Sequence, residues 1–365
     1  MGKFKFSIWL KILTSSDRIR VDKIEGWERL DFISKWLIAL TIVPRVRKEE
    51  WERLDFITKW LIATRSVVLI MTFLSSAIGG LLAYKAGKFQ FLPWLLCTLG
   101  LMLAHATNNL LNDLIDHLQG VDRDNYFRVQ YGPQPLENGL MSFKTHFLYI
   151  FFTGLIAFLI GVYLVYLRFP IALYLFLAGS FFLLFYTFPL KYIGMGELAV
   201  LIVWGPLMVG GSYYISSGEW SWKVVIASLP YALGVTSVLL GKHIDKYEFD
   251  KARGIKTLPV ILGERNARIL TIIVMLSQYL LVLYLVAVRF FSPILLLVFL
   301  VFPSFLYVFR MFKERKPKEM PEGYREDVWP LWFVAGAFWH NRRFGIAYLI
   351  ALIIDVILAK TGIKF

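Results

Sequence analysis

Long apolar stretches recur along most of the chain, and polar residues are collected between these stretches rather than alternating with them. A helix of about 20 apolar residues is long enough to cross a bilayer. The pattern predicts nine such spans, at about 65–86, 93–113, 144–167, 170–188, 196–217, 223–243, 268–289, 291–311 and 344–361. We therefore expect an all-α integral membrane protein. A β-barrel is disfavoured, because its strands would alternate polar and apolar residues.

The region before the first span contains a duplicated segment. "WERLDFISKWLIA" begins at Trp27 and "WERLDFITKWLIA" begins at Trp51, and the two copies differ only at Ser34 and Thr58. Within each copy, apolar residues recur at helical spacing with charged residues between them. This pattern predicts two amphipathic helices at the membrane interface. We assign residues 1–59 to an N-terminal cytoplasmic extension that carries the duplication.

The remaining chain divides into three predicted parts. Residues 60–311 form the helical core, 312–343 form a cytoplasmic or interfacial loop, and 344–365 form the final transmembrane helix. Inside the loop, the segment "WPLWFVAGAFWH" is too short to cross a bilayer and is followed by basic residues. We expect this segment to be interfacial or re-entrant.

Basic residues are concentrated in alternate loops. The segment 244–267 holds five of them, namely Lys246, Lys251, Arg253, Lys256 and Arg265. Residues 312–343 hold more, whereas the loops on the other side carry few. The positive-inside rule then places the N-terminus and the loops after spans two and six in the cytoplasm. We expect a multi-pass protein of the cytoplasmic (inner) membrane.

Composition agrees with this interpretation. The 365 residues are 58% hydrophobic and 18% charged, and the mean hydropathy is +0.60. The net charge of +14 is explained by basic cytoplasmic loops, so no nucleic acid partner is expected. Cys97 is the single cysteine, which excludes an intramolecular disulfide and gives no support to a cysteine metal site. The N-terminus shows no cleavable signal peptide.

A polar stripe interrupts the end of the second span. The stretch "NNLLNDLIDHLQGVD" places Asn109, Asn112, Asp113 and Asp116 at three- and four-residue steps, and therefore on one face of a helix. Two carboxylates at this depth are costly unless a cation lies between them. The alternative is that the helix has already left the membrane and its acids face water.

The residue types in the stripe define the cation. They offer only oxygen ligands, which favour a hard ion, Mg²⁺ before Ca²⁺. Protein-bound Mg²⁺ usually keeps some waters and is held by one or two carboxylates together with substrate phosphates. The stripe therefore predicts a substrate that carries a phosphate or a diphosphate.

A second acidic cluster follows the sixth span, in "GKHIDKYEFDKARGIKTLPVILGE". Asp245 and Glu248 repeat the spacing of Asp113 and Asp116, and Asp250 comes two residues later. Basic residues surround these acids, so a solvated loop remains an alternative. Two acid clusters predicted on one face of the membrane could together hold two or more metal ions around one diphosphate.

These motifs resemble the UbiA superfamily of intramembrane prenyltransferases. The family's first motif, NDxxDxxxD, corresponds here to Asn112-Asp113-x-x-Asp116, with Gly120 where the third aspartate often stands and Asp122 two places later. The block "YTFPLKYIGMGELAVLIVWGPLMVGGSYY" from Tyr186 resembles the menaquinone branch of the family. "DKARGIKTLPVILGE" is similar to the second motif and its tail. The resemblance covers roughly residues 60 to 311.

The sequence departs from the family pattern at a few positions. The second motif usually reads DxxxD, but here the step from Asp245 to Asp250 is one residue longer. Lys242 and His243 stand where asparagines often precede that motif. Gln134 occupies a position where many relatives carry arginine.

The resemblance implies a bundle of about nine helices around a central cavity. It implies transfer of a polyprenyl group from a polyprenyl diphosphate to an aromatic acceptor in menaquinone-like biosynthesis, with Mg²⁺ as cofactor. The resemblance implies four catalytic residues that also bind the metal: Asp113, Asp116, Asp245 and Asp250. It implies Asp122 as a metal ligand only. The implied substrate contacts are Asn109, Asn112, Arg123, Tyr186, Lys191, Lys256 and Arg65.

Individual roles follow from the same resemblance. Arg123, Lys191 and Lys256 would contact the diphosphate, and the ring of Tyr186 would shield the allylic cation. Arg65 would either meet an anionic acceptor or mark the cytoplasmic interface.

Three other functions compete with this one. A related enzyme could use a glycerol phosphate lipid, a haem or a chlorophyll precursor as the acceptor. A transporter or a non-catalytic scaffold is a second alternative, although several spans have almost no charge in their middle. A CDP-alcohol phosphotransferase is excluded, because its pattern requires glycine directly after DxxD and His117 stands there.

Overall fold

A computed structural model describes residues 30–41, 46–120, 134–324 and 328–361. Within these ranges all regular structure is helical. We number the helices in chain order: α1 (Phe32–Thr41), α2 (Lys48–Arg53), α3 (Phe56–Ala63), α4 (Leu69–Lys85), α5 (Phe91–Leu118), α6 (Phe143–Leu167), α7 (Ile171–Phe185), α8 (Gly196–Ser217), α9 (Trp222–Asp245), α10 (Tyr247–Ala252), α11 (Leu258–Leu262), α12 (Glu264–Ala287), α13 (Pro293–Lys313) and α14 (Phe333–Thr361).

The predicted all-α membrane architecture is confirmed. In the described part of the chain, eight helical stretches are long and apolar enough to cross a membrane: Ser66–Lys85, α5, α6, α8, α9, α12, α13 and α14. The span predicted at 170–188 corresponds to α7, which is apolar but only 15 residues long. Helices therefore occupy all nine predicted positions, and one of them is shorter than a usual membrane crossing.

The last helix differs from its prediction. It begins at Phe333 rather than near residue 344, and it continues to Thr361. The basic residues that were expected to end the apolar segment lie within this helix, and the Arg343 guanidinium carbon lies 4.1 Å from the centre of the Trp339 ring. A long side chain can cover apolar surface in this way while its charged end stays at the boundary.

Contacts divide the chain into two compact units, Met1–Ile70 with Met102–Ile156, and Met71–Leu101 with Ala157–Phe365. We call these unit 1 and unit 2. The core of unit 1 joins the N-terminal helices to α5 and α6, and its buried side chains include Ile38, Trp51, Leu61, Leu110 and Tyr149. The N-terminal helices are therefore packed into a core shared with the polar stripe of α5.

The two copies of the duplicated segment make the same helix cap. In α1 the Ser34 amide donates to Asp31 Oδ1 at 3.0 Å, and in α3 the Thr58 amide donates to Asp55 Oδ1 at 2.9 Å. Such a cap satisfies a backbone donor that the first turn leaves open. Residues 27–29 of the first copy lie outside the described residues.

Unit 2 is organised around α9, which packs against α8, α12 and α14. Its largest fully buried side chains include Tyr231, Tyr279 and Tyr348. The α4 and α8 backbones approach closely, because a Cβ at Gly79 would lie 2.9 Å from Ser212 Cβ. Small residues at a helix contact allow this approach in membrane bundles.

Candidate active site

The polar stripe of α5 lies inside unit 1. Asn112 is 8% exposed, Asp113 2% and Asp116 3%, so the three side chains do not form a solvated helix end. Asp113 and Asp116 are three residues apart in the helix, which places both carboxylates on one face. Two buried acids at this spacing repel one another unless positive charge is supplied.

Arg65 supplies part of that charge. Its guanidinium pairs with Asp113 Oδ1 within unit 1, and its side chain is 12% exposed. Arg65 has φ +53°, a left-handed conformation that it shares with Arg289 alone among the non-glycine residues the structure describes. Such a backbone costs about 1–3 kcal/mol and persists only when its surroundings enforce it. The bend separates α3 from the turn Ser66–Val68 and brings Arg65 to Asp113.

Neighbouring polar contacts hold the end of α5. Asn109 Nδ2 donates to the Thr64 carbonyl at 2.8 Å, and His146 Nε2 lies 2.9 Å from the Leu110 carbonyl. The predicted substrate contact Asn109 therefore also ties α5 to the end of α3. This contact fixes the orientation of the stripe relative to Arg65.

The donor set of the stripe fits Mg²⁺. Among the described residues, no group of three or more His, Cys, Asp or Glu side chains is arranged to hold a metal. Two carboxylates are sufficient for Mg²⁺ when substrate phosphates and water complete its coordination. The predicted contacts Asp122 and Arg123 lie outside the described residues.

Asp245 has a different environment from the one predicted for a metal ligand. Its oxygens accept the backbone N–H groups of Phe333 at 3.1 Å and Val334 at 2.9 Å, at the start of α14. Lys316 Nζ lies 3.7 Å from Oδ1, and the Asp245 side chain is completely buried. Both oxygens accept amide hydrogen bonds at the start of α14, so we propose that Asp245 caps this helix in place of the predicted metal-ligand role.

Lys316 completes this cap. Burial lowers the pKa of Lys316, and the nearby Asp245 carboxylate opposes that shift without cancelling it. Lys316 Nζ also donates to the Pro330 carbonyl, in the segment that leads into α14. The interaction network therefore connects the end of α9 with the start of the last helix.

Asp250 is the acid of the second motif that keeps an open oxygen. It lies in α10, is 1% exposed, and its Oδ1 is 3.1 Å from Lys246 Nζ. Oδ2 accepts no hydrogen bond from the residues that the structure describes. Glu248 is exposed on the same helix, so its DxxD-like spacing does not make it part of a buried site. The predicted contact Lys256 is also exposed.

The remaining predicted contacts of unit 2 lie at the end of α7 and in the turn that follows. Tyr186 is half-buried, and Lys191, which is 9% exposed, donates its amide to the Tyr186 carbonyl at 3.0 Å. Lys191 Nζ is 5.4 Å from the centre of the Tyr192 ring. A cation and aromatic faces therefore occur together in this segment.

A buried acid–histidine pair beside these residues was not predicted. Glu197 Oε1 and His243 Nδ1 are 2.7 Å apart, and both residues are 2% exposed. The two residues are 46 positions apart in the chain. A glutamate inside an apolar span was the only signal in the sequence, and periodicity does not identify its partner.

Comparisons with known proteins agree with this fold. The model of the UbiA prenyltransferase family matches residues 73–353. "UbiA prenyltransferase domain-containing protein 1" of Danio rerio is 27% identical over 209 residues, which cover 56% of this chain and 61% of the relative. "1,4-Dihydroxy-2-naphthoate octaprenyltransferase" of Escherichia coli (strain K12) is 28% identical over 214 residues, covering 56% of this chain and 68% of that protein. The matched region thus spans about three fifths of the Danio rerio relative.

Solved structures show the same fold. The apo structure of a UbiA homolog from Aeropyrum pernix K1 has a TM-score of 0.60 at 20% identity, over 79% of this chain and 97% of that one. A UbiA homolog from Archaeoglobus fulgidus bound to GPP and Mg²⁺ has a TM-score of 0.52 at 18% identity, over 81% and 99% of the two chains.

Proposed function

Since this chain belongs to the UbiA prenyltransferase family, we propose that it transfers a polyprenyl group from a polyprenyl diphosphate to an aromatic acceptor, with Mg²⁺ as cofactor. The observation that carries the proposal is the buried pair Asp113 and Asp116, three residues apart on α5, with Arg65 against one of them. The names of the relatives support a naphthoate as the acceptor. The Archaeoglobus fulgidus homolog, whose structure contains GPP and Mg²⁺, supports the donor and the ion.

In this proposal the α5 stripe holds the diphosphate end of the donor. Asp113 and Asp116 are the carboxylates that would bind Mg²⁺, and the ion supplies neutralisation of the negative charge that grows on the departing diphosphate. Arg65 is already fixed beside Asp113, so its guanidinium is available as a preorganised donor to anionic oxygens. The hydrogen bond from the Asn109 side chain to the Thr64 carbonyl holds the stripe in place at the end of α3.

The family resemblance assigns the remaining roles of the proposal to other motif residues. Asp250 would offer a further carboxylate oxygen, since Oδ2 accepts no hydrogen bond from the described residues. Lys191 and Lys256, together with the Arg123 and Asp122 of the family motif, would contact the diphosphate or its metal. The Tyr186 ring would shield the allylic cation, an interaction of about 0.5–2 kcal/mol.

The orientation of the chain belongs to the same proposal. Basic residues in 244–267 and 312–343 support a cytoplasmic location for both acidic motifs and for the N-terminus. The donor's polyprenyl tail needs only apolar walls, which the spans provide. We therefore propose that the enzyme acts at the cytoplasmic face of the cell membrane.

Purified full-length chain in detergent or nanodiscs tests this function. It is incubated with Mg²⁺, a radiolabelled polyprenyl diphosphate and a panel of aromatic, glycerol phosphate, haem and chlorophyll-precursor acceptors. We expect transfer to the aromatic acceptor, loss of transfer with EDTA, and recovery with added Mg²⁺. Transfer to a glycerol phosphate acceptor alone would replace the proposed acceptor, and no transfer to any acceptor would contradict the function.

A matched pair of variants localises the activity. Asp116→Asn removes a carboxylate of the stripe, and Asp31→Asn removes a helix-capping carboxylate of α1 in the same unit. Only the first should abolish transfer. Equal activity of the two variants would show that the stripe is not the site.

A further inference from the structure

The Glu197–His243 pair is a buried ionisable cluster that the proposed function does not use. Glu197 lies in the first turn of α8 and His243 in the last turn of α9. Glu197 Oε1 lies 2.7 Å from His243 Nδ1, and each side chain is 3% exposed. A carboxylate that accepts from Nδ1 leaves Nε2 as the nitrogen that can exchange a proton.

Only one of the two carboxylate oxygens of Glu197 has a hydrogen-bond partner among the described residues. Its second oxygen, Oε2, is buried and accepts no hydrogen bond within the described ranges. A buried polar atom without a donor destabilises the folded state, and more so when the group is charged. A bound molecule with a hydroxyl group would remove that cost.

Two other buried acids of unit 2, Asp355 and Asp245, have the opposite arrangement. Asp355 accepts from Lys85 Nζ at 2.6 Å on one oxygen and from the Ser292 amide at 2.9 Å on the other. Asp245 likewise has a donor for each oxygen. These two acids, which join helices, thus have a donor on each oxygen, whereas Glu197 keeps one oxygen open.

The surroundings of the pair suit an aromatic ring. A Cβ built on Gly196, next to Glu197, would lie 3.9 Å from His243 Cε1 and 3.9 Å from Tyr186 Cε2. The same point is 3.6 Å from the Lys191 Cα. The Tyr186 ring and the backbone of Lys191 therefore lie beside the pair, and an aromatic ring and a lysine side chain are groups that can contact a hydroxylated aromatic acid.

We propose that Glu197 Oε2 accepts a hydrogen bond from a ring hydroxyl of the aromatic acceptor, and that the Glu197–His243 pair takes up the proton of that hydroxyl during transfer. This inference rests on the proposed function, and it assigns acceptor recognition to a specific pair of residues.

The step is balanced in atoms and electrons. The acceptor O–H bond breaks and its proton moves to the pair, while the oxygen electrons enter the ring. A ring carbon forms a bond to C1 of the prenyl group, and the C1–O bond breaks with its electrons leaving on the diphosphate. The resulting ketone regains aromaticity when the attacked carbon releases its substituent, a proton in the simplest acceptor, and the ring oxygen is reprotonated from the pair. Removing the hydroxyl proton makes the ring a stronger nucleophile at the moment of attack.

Direct binding of two ligands tests the inference, one with free ring hydroxyl groups and one in which those groups are methylated. The affinities of 1,4-dihydroxy-2-naphthoate and of its dimethyl ether, 1,4-dimethoxy-2-naphthoate, are measured on full-length protein without donor. Wild type should prefer the dihydroxy compound. Glu197→Gln should reduce that preference about tenfold or more, the usual value of a hydrogen bond to a charged group.

Control variants separate recognition from packing. Asp355→Asn changes a buried acid of the same unit that has both oxygens satisfied, and it should leave the preference unchanged. His243→Asn keeps a hydrogen-bonding side chain beside Glu197 but removes the proton carrier. It should lower kcat for the dihydroxy acceptor more than it raises KM.

The outcomes are distinguishable from failure of the proposed function. If wild type transfers the prenyl group but Glu197→Gln keeps the full preference and His243→Asn keeps kcat, the pair is structural and this inference is overturned. If wild type transfers to no hydroxylated aromatic acceptor, the proposed function itself has failed.

Discussion

The two acidic motifs of this chain look alike in sequence but differ in structure. In unit 1, Asp113 faces Arg65 and shares one helix face with Asp116. In unit 2, Asp245 is enclosed by the amides of Phe333 and Val334. Both positions are buried acids, but Asp113 is paired with a side-chain cation, whereas Asp245 accepts a backbone hydrogen bond on each oxygen and has the Lys316 amine at 3.7 Å. The partner, more than burial, decides whether an acid is available to a ligand.

The largest expected effect is on turnover. Asp116→Asn should reduce prenyl transfer by about 10²–10³-fold, because it removes charge placed at the leaving group. Asp245→Asn should keep most of the activity, since in this proposal Asp245 binds no metal and asparagine keeps one of the two acceptors at the start of α14. Initial rates with labelled donor measure the activity of both variants. Comparable losses of activity in Asp116→Asn and Asp245→Asn would contradict the proposed difference between the two motifs.

The next effect is on stability. Asp113→Asn should lower the thermal midpoint of the ligand-free protein, because it leaves the Arg65 guanidinium buried without its counter-charge. Asp116→Asn should leave the midpoint unchanged or raise it, since it relieves repulsion within the acid pair. The double variant Arg65→Met with Asp113→Asn should recover stability without activity. A midpoint equal to that of wild type in Asp113→Asn would show that the ion pair contributes nothing.

Cap strength gives a smaller effect. Asp245→Ala should destabilise the protein by about 0.5–2 kcal/mol, the usual range for an N-cap, and Asp245→Asn should restore part of this loss, because asparagine keeps one of the two acceptor oxygens. Chemical denaturation followed by tryptophan fluorescence measures the free energy of unfolding of wild type, Asp245→Ala and Asp245→Asn. An Asp245→Asn variant as unstable as Asp245→Ala would indicate that α14 requires both carboxylate oxygens and that a single acceptor contributes nothing.

The smallest effect concerns pH. Burial lowers the pKa of Lys316 in the folded protein, so the unfolded chain binds more protons between that lowered value and the ordinary value of 10.5. Stability attributable to Lys316 should therefore rise with pH across that window. The thermal midpoint of wild type minus that of Lys316→Met should increase from pH 8 to pH 10. A flat difference would contradict the burial of this amine.

Periodicity and charge predicted the membrane class and the positions of the helices well, because long apolar runs have few alternative structures. The α5 stripe was also predictable, since its four polar residues belong to one helix. The role of Asp245 was not, because its partners are amides of Phe333 and Val334, 88 and 89 residues away. The Glu197–His243 pair was missed for the same reason. Local spacing identifies chemistry within a helix, and it does not identify partners on distant helices.

The central claim is that the α5 acids, and not Asp245, bind the metal and the diphosphate. The most direct test is the rise in thermal midpoint that Mg²⁺ plus a polyprenyl diphosphate produces, measured on wild type, Asp116→Asn and Asp245→Asn. A ligand stabilises only the state that binds it. We predict a full shift in wild type and in Asp245→Asn, and none in Asp116→Asn. A full shift in Asp116→Asn together with its loss in Asp245→Asn would contradict the account.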